Sequence, residues 1–168
     1  MIAPAAPGPL RVEVQIAVRR PWVPEPAALR RWARAAHLAA RSRKPGRPAR
    51  ACIRIVGAAE SRRLNRLYRG RDKPTNVLSF PASSAERELG SALGDLVICA
   101  AVVSAESREQ GKARVAHWAH IVVHGILHLH GHDHGTPREA AAMERLEVEI
   151  LRGFGYQNPY HPVIVPKS

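Results

Sequence analysis

Val12 to Val18 (VEVQIAV) alternate apolar and polar positions, the period of a half-buried strand. The period then lengthens. Pro26 suits the first position of a helix, and Leu29, Trp32, Ala33, Ala36 and Ala40 recur at helical spacing until the basic run RSRKPGRPAR (41 to 50) breaks the pattern. Residues 51 to 56 (ACIRIV) predict a second strand, and Ala58 to Tyr68 a helix with Leu64, Leu67 and Tyr68 on one side. Asn76 to Phe80 and Leu93 to Cys99 predict two further strands, separated by a polar loop containing SSAERE. One helix is expected over Ser104 to Gln110, ended by Gly111, and another over Arg114 to Leu129, ended by Gly131. Pro137 opens a last helix whose buried stripe is Met143, Leu146, Ile150 and Leu151. Strands mixed with helices in this order predict an α+β, α/β-like fold: a small mixed sheet of about four strands covered by helices.

Composition narrows the class. A chain of 168 residues with 45% hydrophobic content suits one compact domain, so residues 10 to 168 are taken as a single domain behind a Pro- and Ala-rich flexible tail at 1 to 9. The apolar runs are far shorter than the ~20 residues that span a bilayer, and MIAPAAPGPL lacks the order of a signal peptide, so a cytoplasmic protein is expected. Cys52 and Cys99 are isolated within apolar runs, which predicts free thiols in strands rather than a disulfide. The net charge of +12 is uneven: residues 1 to 73 hold 18 Lys/Arg against 4 Asp/Glu, and residues 74 to 168 hold 8 against 10. Such a cationic half suits a polyanion such as nucleic acid. The competing explanation is an Arg-rich source genome, since 22 of the 26 basic residues are Arg.

Candidate chemistry is concentrated in one place. Seven of the nine histidines fall between 117 and 134, within AHWAHIVVHGILHLHGHDH (116 to 134). His117, His120, His124 and His128 follow along one helical face, and His124 with His128 is the pair nearest the helix end at Gly131. A third imidazole must return by chain reversal. His132 is the nearest competitor, but HxxxHxxGxxH matches the long zinc signature H-E-x-x-H-x-x-G-x-x-H with His134 as its last member. Three nitrogens leave one position open, the mark of a catalytic zinc site, although the same ligands also suit nickel, copper or iron. Gly125 stands where a peptidase carries its glutamate base. An open zinc site activates water without such a base, and an alkoxide leaves a phosphodiester more readily than an amine leaves a peptide, so phosphoryl ester chemistry is favoured.

These residues closely resemble the YbeY family of metal-dependent endoribonucleases. The likeness runs over roughly residues 60 to 160, through LNRLYRGRDKPTNVLSFP (64 to 81), LGDLVIC (93 to 99), the histidine segment, and M-x-x-L-E-x-x-I-L with its closing NPY (143 to 160). The resemblance implies one Zn²⁺ held by His124, His128 and His134, cleavage of single-stranded RNA, maturation of the 16S rRNA 3′ end on the small ribosomal subunit with its assembly factors, and ribosome quality control. It also implies a functional arginine in the YRG motif, Arg69 here. A guanidinium fork binds phosphate bidentately and stays charged, whereas a salt bridge to Asp72 or a solvated helix end would give Arg69 no such part. Thr75, Asn76 and Ser79 are expected to line the same cleft. The first 50 residues show little distinctive similarity, and CAAVVSAES lacks the proline expected after its strand. The competing functions are a non-catalytic zinc-containing ribosome assembly factor and, against the missing glutamate, a zinc peptidase.

Overall fold

The structure, a computed structural model, describes residues 9–40 and 48–161. All of the expected tail but its last residue, and the basic run as far as residue 47, lie outside the described residues. In chain order the elements are β1 (Leu10–Ile16), α1 (Pro26–Ala39), β2 (Ala49–Val56), α2 (Ala58–Arg69), β3 (Val77–Pro81), α3 (Ser84–Leu89), β4 (Ala92–Cys99), α4 (Ala100–Glu109), α5 (Arg114–Leu129) and α6 (Pro137–Gly153). The strands form one mixed sheet in the order β1-β2-β4-β3. β1, β2 and β4 run parallel, with Leu10 opposite Ala49 and Cys52 opposite Asp95, while β3 lies antiparallel to β4 with Val77 opposite Ile98. The α+β reading stands.

Burial explains the arrangement. β4 is buried on both faces at Leu93, Leu96, Val97, Ile98 and Cys99, as a strand enclosed by helices must be. The main core packs one sheet face against α1 and α5 through Leu29, Trp32, Trp118, Ile126 and Leu127, and α6 adds Met143, Ile150 and Leu151. A smaller cluster of Val56, Leu78 and Val97 on the other side takes in Leu64 of α2. α5 is buried around most of its circumference because it runs through the middle of the molecule, and its half-buried face is the one that carries His120, His124 and His128. Both cysteines are free, Cys99 buried and Cys52 half-buried.

Three expectations need correction. SSAERE is not a plain loop but α3, nucleated by a capping box in which the Ser83 hydroxyl accepts from Glu86 N–H and the Glu86 carboxylate accepts from Ser83 N–H. α4 begins at Ala100, not Ser104, because the chain passes from β4 straight into the helix with Cys99 as N-cap. The expected apolar side of α2 is only partly buried: Leu67 and Tyr68 are exposed, and Ser61 and Asn65 are buried instead. Their polar groups hold the following loop, since Ser61 Oγ both donates to Thr75 O and accepts from Thr75 N–H at 3.0 Å, and Asn65 Nδ2 donates to Lys73 O at 2.7 Å. A loop so pinned fixes where α2 delivers its C-terminal arginine.

Candidate metal centre

One helical turn of α5 separates His124 from His128 on the same face. The helix then ends as expected. Gly131 adopts φ +89°, a conformation that favours glycine, and the N–H groups of Gly131 and His132 return to the carbonyls of His128 and Leu127. This reversal carries His134 back over the helix end. The ligand nitrogens of His124, His128 and His134 all lie within 4.8 Å of one another. Nε2 of His124 and Nε2 of His128 are 3.0 Å apart, near the roughly 3.3 Å between nitrogens of a tetrahedral site with bonds of ~2.0–2.1 Å. Burial, reinforced by His124 and His134, holds the His128 imidazole down at about 4, so it is neutral in neutral water and offers a lone pair. The donor set therefore fits a zinc-like ion, with a position left open.

The other histidines have separate duties. His117 bonds to Glu106 at 2.8 Å, and Glu106 also accepts from Asn76 Nδ2. His130 approaches His37 at 3.0 Å. His132, the competitor for third ligand, is not in the converging group. His120 bonds to Glu147, which the sequence reading passed over. Glu147 is fully buried and also accepts from His124 Nδ1 at 2.9 Å and from the Tyr160 hydroxyl at 2.5 Å. His120, His124 and Glu147 approach within 4.8 Å as well, but through these hydrogen bonds rather than through converging lone pairs. The signal was present: Glu147 sits four residues after Met143 and three before Ile150, a carboxylate inside an apolar stripe.

Burial alone would raise the Glu147 carboxyl, but hydrogen bonds from His120, His124 and Tyr160 outweigh it and hold the group at about 2. Burial and the neighbouring His37 push His130 down to about 4, as burial does for His128. In each case the unfolded chain binds protons first, so stability falls with acid. Metal-free protein is expected to lose stability from about pH 6.5 to 4 as unfolded histidines take up protons, and from about 4.5 to 2 as the unfolded Glu147 carboxyl does. Urea unfolding at pH 7, 5 and 3 should give successively lower midpoints, and equal midpoints at pH 7 and 5 would show that His128 and His130 are not held neutral.

A cleft of about 640 Å³ opens beside the three histidines, and Arg69, Arg71, Asn76, Ser79 and Asp133 line it with them. Arg69 reaches it from the last turn of α2. Asp72, its suspected partner, is taken by Arg62 through two bonds of 2.8 and 2.9 Å. Among the described residues Arg69 forms no ion pair. Thr75 does not line the cleft; its backbone is engaged by Ser61. Some of the basic charge is structural, because Arg30 and Arg34 donate to the carbonyls of Val12 and Leu10 along edge strand β1. Beside the Arg62–Asp72 pair, Arg63, Arg66 and Arg69 remain on the exposed side of α2.

Gly125 acquires a packing role. A Cβ built there would meet the side chain of Leu96 at 2.8 Å, and Leu96 is fully buried in β4. Glycine lets α5 lie close on the sheet, so the position has no room for the carboxylate that a peptidase would require.

A family model described as Endoribonuclease YbeY matches residues 22–155. A relative named Endoribonuclease YbeY from Alkalilimnicola ehrlichii is 55% identical over 154 residues, covering 90% of this chain and 91% of the relative. Another of the same name, from Methylococcus capsulatus, is 53% identical over 141 residues, covering 84% and 89%. The solution structure of a Thermotoga maritima protein superimposes with a TM-score of 0.56 at 19% identity, covering 90% of this chain and 99% of that one, which supports the fold.

Proposed function

We propose that this chain, which belongs to the Endoribonuclease YbeY family, is a zinc-dependent, single-strand-specific endoribonuclease acting in rRNA processing. The observation that carries the reading is the convergence of His124, His128 and His134 in one cleft with Arg69. A divalent ion bound by these imidazoles supplies Lewis-acid polarisation and acidifies a water. Arg69, with no competing ion pair among the described residues, presents its fork to a phosphate and stabilises the charge that develops there. Arg71 adds a second positive charge on the same wall. The exposed arginines of α2 draw the RNA backbone to the cleft without regard to sequence. The family resemblance supports extending this reading to maturation of the 16S rRNA 3′ end, action on the small ribosomal subunit with its assembly factors and ribosome quality control, and composition supports a cytoplasmic location. No described helix is long and apolar enough to cross a membrane.

Arg69→Glu tests the phosphate clamp. Cleavage of single-stranded RNA is expected to fall about 10²–10³-fold, the scale of removing one preorganised charge-stabilising group, while zinc content and the unfolding midpoint stay at wild-type values. Arg69→Lys should fall less, keeping the charge and losing the fork. Undiminished cleavage by Arg69→Glu would remove Arg69 from the mechanism.

A further inference from the structure

We propose that Glu147 is the positioning residue of the metal centre: its buried carboxylate sets the tautomer and ring orientation of His124, and Tyr160 and His120 anchor that carboxylate in turn. The inference rests on the reading of His124, His128 and His134 as metal ligands. An ionised carboxylate only accepts hydrogen bonds. His124 Nδ1, 2.9 Å from Glu147 Oε1, must therefore carry a proton, and in the neutral imidazole that a metal requires Nε2 is then the bare nitrogen. That Nε2 is the atom facing His128 Nε2 at 3.0 Å.

Without Glu147 the His124 ring would be free to exchange tautomers and rotate, and in the wrong tautomer an N–H would point at the ion's place. The other oxygen of Glu147 is also committed, accepting from the Tyr160 hydroxyl and from His120 Nε2. Tyr160 lies beyond the end of α6, with its ring edge-on to His120 at 5.5 Å between centroids. Its backbone N–H donates to Asn158 Oδ1, which shapes the turn that delivers the hydroxyl. The closing NPY segment thus reaches the metal centre through a single buried carboxylate. Glu147 touches neither substrate nor ion in this scheme and acts by holding a ligand ready, as carboxylates behind metal-bound imidazoles do.

The test measures zinc affinity by competition with a chromophoric chelator, and imidazole tautomers by ¹⁵N NMR of the full-length metal-free protein. Wild type should show His124 as the Nδ1–H tautomer. Glu147→Ala should weaken zinc binding 10–100-fold, and Tyr160→Phe by less. Glu147→Gln, whose carbonyl still accepts from His124, should recover most of the affinity and keep the tautomer. A merely structural carboxylate would lower the unfolding midpoint on replacement and leave the zinc Kd of the folded protein unchanged. An Nε2–H tautomer in wild type, or a Glu147→Ala affinity within threefold of wild type, overturns the proposal. If Glu147→Ala does not fold, the wild-type tautomer decides, together with the zinc affinity of Tyr160→Phe. His128→Ala serves as control: if it binds zinc as tightly as wild type, the metal-centre reading itself fails, whereas its loss of zinc beside an unaffected Glu147→Ala rejects Glu147 alone.

Discussion

His128→Ala is expected to bring the zinc content of the purified protein from one ion per chain to near none, and RNA cleavage down by at least ~10³-fold, the kinetic equivalent of several kcal/mol of lost metal assistance. His128 is the middle of the three: its ring lies 4.5 Å from that of His124 and 4.9 Å from that of His134, centroid to centroid, while those two are 5.7 Å apart. Its removal leaves two imidazoles, one of them on the exposed segment past Gly131. The fold should survive, because alanine is a good helix former and His128 is only half-buried. Circular dichroism matching wild type, together with metal analysis and a cleavage assay on single-stranded RNA, checks all three statements. Full zinc occupancy in a well-folded His128→Ala protein would show that the ion is held elsewhere.

Gly125→Glu, which would restore the peptidase signature, is expected instead to destabilise the protein by about 3–5 kcal/mol. Forcing side-chain atoms into a filled core costs about 1–3 kcal/mol, and burying a carboxylate away from a partner adds a penalty of similar size. Leu96 must move to admit even a Cβ at 2.8 Å, and it is enclosed on all sides. Because a domain of this size has a total stability of only ~5–15 kcal/mol, the loss removes between about a fifth and all of it, and the urea midpoint should drop in proportion. Gly125→Ala should fall between the two, since the ~1 kcal/mol gained in helix propensity partly offsets the strain. Urea unfolding of the three proteins gives the order directly. A Gly125→Glu protein as stable as wild type would mean that position 125 faces the cleft rather than β4.

The contrast between Gly125 and Glu147 shows what the sequence discloses and what it withholds. The three candidate ligands were legible because their spacing follows from local geometry: one helical turn, a glycine able to take positive φ, and a short return. The helices over Pro26–Ala39, Arg114–Leu129 and Pro137–Gly153 were legible for a similar reason, each having periodic apolar positions and a breaker or opener at an end. Gly125 could be read only as a missing base, since its contact with Leu96 depends on how α5 crosses the sheet. Glu147 meets His124 across 23 residues, and periodicity cannot report a hydrogen bond between two helices. The partner of Asp72 was likewise open, because Arg62, about two helical turns back on the same face of α2, competes with Arg69 for the same carboxylate. In α2 the apolar pattern misled, because Ser61 and Asn65 are buried to hold a loop rather than to fill a core.

Whether metal at the three-histidine centre is what cuts RNA is decided by one measurement. The protein is stripped of metal with a chelator, reloaded with one equivalent of zinc, and given end-labelled RNA in single-stranded and duplex forms. Stripped protein should be inactive, and reloaded protein should cut the single strand in preference to the duplex, with both activities absent from His128→Ala. Cleavage that persists in the stripped protein at the wild-type rate, or a fully zinc-loaded protein that never cuts the single strand, would show that the three-histidine centre is not the nuclease site.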